Sequence, residues 1–170
     1  MLFDSLSYLF AYTAFITWYQ VLAIALLLIG IVFFITPEPP EYWEVYKPQS
    51  LYYYLQWSWL GYLRLRDAFW PFFLLYNATL FYIDYRIDDG SFTVASWVTM
   101  HIIMAMPLIY WTGAVWRCSK NGCSRWVQTS ARWMTVAAYG DLALRWVIYN
   151  DFPKILFNCQ EMLIQWGDCL

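Results

Sequence analysis

Charge is what this chain most lacks. Of its 170 residues only 10 are Lys or Arg and 12 are Asp or Glu, 13 % in all, against roughly 25 % in a soluble domain. A soluble globule needs a charged exterior, so this deficit beside 62 % hydrophobic residues points to a membrane protein. The net charge of −2 leaves no basic stripe for a phosphate backbone, which argues against nucleic acid as a partner. A glycine-rich phosphate loop, a Ser-His-Asp set, an H-E-x-x-H pair and paired catalytic carboxylates are all missing, so no catalytic activity of its own is expected. Histidine occurs once, which excludes a bis-His haem held by a single copy. The first residues, MLFDSLSY, contain no Lys or Arg, and the chain opens Met-Leu and closes GDCL. Neither a signal peptide nor a lipidation box is read there, and an uncleaved anchor helix is expected instead.

What is abundant is aromatic surface, 23 % of residues with 12 Trp and 15 Tyr. These rings carry an apolar body and a polar tip, and both are satisfied at the headgroup level of a bilayer.

The longest apolar run, residues 14–36, has no charged side chain across twenty-three positions. At 1.5 Å per residue it matches the hydrocarbon thickness of a bilayer. Asp4 or Ser5 is the candidate cap of a helix entering it. Four prolines between 37 and 48 then forbid continuation, so residues 37–50 read as a polyproline-like connector or a ligand for a partner. Residues 51–65 have helical spacing at Leu51, Leu55, Trp59 and Tyr62, which predicts an interfacial helix. Further spans are expected at 68–83, with Pro71 in the first turn, at 92–116, kinked by Pro107, and at 131–149. Asp88 to Ser91 and Asn121-Gly122 read as turns, and Asn77-Ala78-Thr79 matches a glycosylation sequon by chance. Asp151 is the candidate cap of an amphipathic tail, 151–167.

The fold class expected is an all-α integral membrane protein in one domain, with about four spans. Four spans place seven basic residues in the first and third loops and only Arg86 and Lys154 on the opposite side. The amino terminus is then outside, in a bacterial inner membrane or an organellar membrane. Three spans remain the alternative, because the last candidate holds Arg132, Asp141 and Arg145.

Asp141 and Arg145, four apart with the acid first, form the candidate intramembrane ion pair. It reads either as a lock to a neighbouring subunit or as the start of an ion or proton path. His101 and Met104 share a helical face and are candidate Cu(I) ligands, against a packing role for both. Cys118 and Cys123 bracket SKNG, with Cys159 and Cys169 near the carboxyl terminus. Free thiols, a local disulfide and a thiolate zinc site are the alternatives. Three functions follow: a non-catalytic accessory subunit of a larger membrane complex, a small redox protein with quinone or metal, or a homo-oligomeric channel or transporter. Other membrane subunits, the bilayer and structural lipid are the expected partners.

Overall fold

The computed structural model describes residues 17–38 and 48–151. The caps at Asp4 and Ser5, connector residues 39–47, the tail beyond Asp151 and Cys159 and Cys169 lie outside them. The described residues form five α-helices and one 3-10 turn with no strand: α1 Trp18–Ile35, α2 Leu51–Leu60, α3 Leu65–Asp88, α4 Val94–Cys118, the turn Ser119–Asn121, and α5 Arg125–Asp151. Two of them, α1 and α4, are long and apolar enough to cross a membrane. By length alone α3, 24 residues, and α5, 27 residues, would also reach across, at about 36 and 40 Å.

The centre of the molecule is α4, which packs against α2, α3 and α5, whereas α1 packs on α5. Trp97, Met104, Leu108, Trp111 and Val115 of α4 meet Tyr76, Leu80 and Ile83 of α3 and Ala131 and Ala138 of α5 in one core. The described part of the longest apolar run is therefore peripheral, and Val32 is the one buried residue of α1.

Each expected boundary shifts for a physical reason. Thr17 is the extended N-cap of α1, and its amide donates to Gln20 Oε1 at 2.9 Å. The helix expected over 51–65 is ten residues long rather than fifteen, because Gly61 takes φ 85° and closes α2 in the left-handed region that glycine tolerates. The third helix begins at Leu65 and runs past Asp84 and Arg86, so charges expected to bracket a span sit inside the helix. That start also moves Pro71 into the second turn, where it cannot donate to the carbonyl of Asp67. The Tyr54 hydroxyl donates to that carbonyl instead, at 2.8 Å, and ties α2 to α3. Burial pushes the Tyr54 phenol up to about 12, so it remains a donor across ordinary pH. Asp151 is helical and continues α5 rather than starting a new helix.

The remaining turns bind their neighbours. Gly90 has φ 67°, and Arg86 closes that corner by donating to Ser91 Oγ at 2.6 Å. Asn121 does more than the tight turn expected of Asn-Gly. Its buried amide donates to the carbonyls of Gly61 and Leu63 at 2.8 and 2.9 Å, clamping the α2–α3 loop under the end of α4.

Candidate functional site: a buried polar stripe on α5

Most polar residues of α5 face inward, with Ser130 and Asn150 exposed. Gln128, Thr129, Arg132, Thr135, Asp141 and Arg145 are all buried. The exposed large side chains of the same helix are Trp126, Val127, Tyr139, Trp146 and Val147. Gln128, Arg132 and Thr135 share one face of the helix, and Asp141 and Arg145, four apart, share another about a third of a turn round the axis.

Arg145 stands at the centre of the stripe's far end. Its Nε donates to Asp141 Oδ2 at 3.1 Å, and its two terminal nitrogens donate to Asp84 at 2.7 and 2.9 Å. Side-chain exposure is 5 % for Arg145, 1 % for Asp141 and 30 % for Asp84. The pair expected from sequence is thus a triad, and its third member belongs to α3 of the same chain. Within the chain the triad joins α3 to α5. The fork of the guanidinium matches a carboxylate in two parallel bonds, which gives this contact directional strength. Eight residues earlier on α3, the Tyr76 hydroxyl donates to the carbonyl of Ala138 at 3.2 Å, so the two helices are joined at two levels.

Arg132 serves the other end. Its Nε donates to Ser119 Oγ at 2.9 Å, and its terminal nitrogens reach the carbonyls of Trp116 and Ile35 at 3.3 and 3.4 Å. Arg125 donates to the carbonyl of Phe33 at 3.1 Å and lies over the Phe33 ring at 4.4 Å. A helix leaves its last carbonyls without amide partners and with a partial negative charge. The last turn of α1 has no basic residue of its own, and two arginines of α5 supply the missing donors.

His101 and Met104 are both buried on α4, but they have separate surroundings. Met104 lines an apolar cavity of about 230 Å³ between α3 and α4, which His101 does not reach. His101 Nδ1 donates to the carbonyl of Trp97 at 2.8 Å, with the Trp97 ring 3.9 Å away, centroid to centroid. Asp84, Asp141 and Arg145 lie within electrostatic range of that imidazole. Cys118 is buried, with its thiol on the carbonyl of Ser58 at 3.4 Å, whereas Cys123 is exposed, and the two are not bonded to each other. Among the described residues no three His, Cys, Asp or Glu side chains converge on one point.

Comparison with known protein families, curated proteins and solved structures returns no match. Function is therefore argued from the polar stripe and from the apolar surface around it.

Sequence reasoning missed Asp84, because its partner is 61 residues away. It counted Arg132 as a loop charge, although that residue binds α1 groups 96 and 97 positions away. The available signal was the i, i+3 and i, i+4 spacing of polar residues within each end of α5, 128, 132 and 135 at one and 141 and 145 at the other. In a helix with an apolar remainder, such spacing marks a buried face.

Proposed function

We propose that this chain is a membrane-embedded, non-catalytic subunit of a larger membrane assembly. In this reading α1, α3, α4 and α5 cross the bilayer and α2 lies along its surface. The first and third loops face the side that retains positive charge, and the amino terminus faces the other. One observation carries the reading: along α5, Arg132, Asp141 and Arg145 are buried while Trp, Val and Tyr side chains face outward. A helix in water is arranged the other way round, and burial of charge inside an apolar exterior is the arrangement that hydrocarbon favours. The exposed apolar residues of α1, among them Leu22, Leu26, Leu27 and Phe34, extend that exterior.

The subunit reading draws on what the triad does. The Arg145 guanidinium uses three nitrogens on two carboxylates of its own chain. An arginine keeps its proton at any ordinary pH and cannot pass it on, so a guanidinium at the centre of the cluster suits a fastener better than a relay. The transport reading draws on the partial exposure of Asp84 and the nearness of His101. The redox reading has the weaker footing, since its cysteines are apart and no ligand set converges among the described residues.

Alkaline washing of membranes followed by purification of the full chain in mild detergent tests this proposal. The expected result is retention in the washed membrane and co-purification with other chains in fixed stoichiometry. Release by the alkaline wash would overturn the membrane reading. A symmetric homo-oligomer would favour transport, and a stoichiometric metal or a visible absorption band would favour redox chemistry.

A further inference from the structure

The two halves of the helical bundle carry opposite charge. Around the first residues of α3 and the ends of α1 and α4 stand Arg64, Arg66, Arg117, Lys120, Arg125 and Arg132, against Glu38 and Asp67. The other half holds Arg86 and Arg145 against Asp84, Asp88, Asp89 and Asp141. Several cations of the first half are already engaged. Arg132 and Arg125 hold the end of α1, and Arg117 donates to the carbonyl of Trp59 at 2.7 Å. Arg64, Arg66 and Lys120 are exposed, as is Arg117. The Asn121 clamp on the carbonyls of Gly61 and Leu63 sets Lys120 beside the loop that carries the two arginines.

Beneath this loop is a cavity of about 390 Å³, with Pro48, Leu63, Trp70 and Pro71 as apolar walls and Arg66 and Asp67 as polar lining. Arg66 is 76 % exposed, and its 3.6 Å contact with Asp67 is an exposed ion pair of the kind an anionic ligand displaces at little cost. Trp70 is half exposed at the rim. Among the exposed cations Arg66 lines this trough, Arg64 stands two residues before it and Lys120 lies on the turn that Asn121 fixes to the same loop, an amphipathic layout that suits a lipid where glycerol meets acyl chain.

We infer that this cavity seats an anionic phospholipid, with its phosphate between Arg64, Arg66 and Lys120 and its first acyl methylenes against Trp70 and Pro71. The inference rests on the membrane reading above and adds the lipid class and the residues that select it. A zwitterionic lipid brings its own cation toward the same arginines and is bound less well. A basic residue near a membrane surface changes the preference for anionic lipid by about five-fold, so three together separate the two lipids strongly.

The test uses the full chain in mild detergent, offered phosphatidylglycerol or phosphatidylcholine and read by native mass spectrometry. The wild type is expected to retain phosphatidylglycerol preferentially. Arg64→Gln, Arg66→Gln and Lys120→Gln should each lower that preference about five-fold, and the triple variant should abolish it. Arg66→Lys should keep most of it, and Arg86→Gln, in the other half, should leave it unchanged. Trp70→Ala should weaken retention of both lipids, since it removes part of the apolar wall. Equal retention of the two lipids, or a triple variant that behaves as wild type, would overturn the inference. Displacement of the lipid by soluble glycerol phosphate would overturn it too, by showing a phosphate site without a lipid seat. A chain that stays in alkaline-washed membranes yet fails these tests removes the lipid site alone, whereas release by the wash removes the membrane reading beneath it.

Discussion

Helices α1 and α5 pack on each other and follow opposite rules. The first, 18 residues, has no charge and buries one side chain, Val32. The second, 27 residues, is interrupted by Arg132, Asp141 and Arg145 and buries all three. Hydropathy ranks α1 as the better core helix, and the structure makes it the more exposed. The difference teaches that, where the surroundings are apolar, hydrophobic side chains gain little by leaving them. Polar groups, which lose hydrogen bonds there, are driven inward. The ordinary link between apolarity and burial is a property of water, and this chain departs from it along α5.

The hardest blow to that comparison is Arg145→Met. It leaves the Asp141 and Asp84 carboxylates facing each other without their guanidinium, and breaking a buried ion pair on one side typically costs about 3 to 5 kcal/mol. Thermal unfolding in detergent should show this loss. Adding Asp141→Leu and Asp84→Asn should restore most of the stability, because an apolar or neutral replacement of the whole set is tolerated. If the triple variant assembles but its complex is inactive, the fastener reading is wrong and the transport reading gains.

A charge placed on α1 gives the next effect. Leu26 is well exposed and outside the packed core, so Leu26→Arg in water would change stability by about 0.5 kcal/mol or less. In a bilayer it should cost roughly 2.5 to 3.5 kcal/mol of insertion. The inserted fraction, followed by protection from protease in sealed vesicles, separates the two outcomes. Unchanged insertion would contradict the assignment of α1 to hydrocarbon.

Where the two helices join, Arg132→Met removes the donors to the carbonyls of Ile35 and Trp116 and to Ser119 Oγ. Hydrogen bonds to a charged group are each worth about 1.5 to 3 kcal/mol. A net loss of about 2 kcal/mol is expected, with faster amide exchange in the last turn of α1 and little change in the core of α4. Exchange spread evenly over the bundle would show that Arg132 supports more than this joint.

Smallest is Gly140→Ala on α5. A Cβ there meets nothing within 4 Å, so the isolated chain should be unchanged or stabilised by about 0.5 to 1 kcal/mol, as for other helical glycines. Loss of the assembled complex with a stable isolated chain would place a partner helix against this face. Gly30→Ala, equally open, gives the same comparison on α1.

Much of this architecture was legible from local chemistry. Pro37 ends the first helix and Gly90 marks a corner, since each limits the backbone wherever it stands, whereas Gly61 closes a helix that was expected to run to 65. The i,i+4 spacing of Asp141 and Arg145 put them on one face. Helix ends are less legible: the span expected at 68–83 stops short of Arg66, Asp67 and Arg86, whereas α3 carries these charges without a break. Pro71 held a clue that went unused: inside a helix it must orphan the carbonyl of Asp67, so a donor such as Tyr54 had to exist.

The sequence by itself determined that this chain is helical and, through its scarcity of charge, that its exterior is apolar. These follow from composition and short-range spacing, which need no knowledge of neighbours. Only the tertiary structure decided that α4 is the centre, that Arg145 is shared by α3 and α5, and that α5 supplies the donors at the end of α1. The last two rest on contacts between residues some 60 to 100 positions apart. Side-chain identity says that a buried guanidinium must find acceptors, but only the packing of the helices says which ones are within reach.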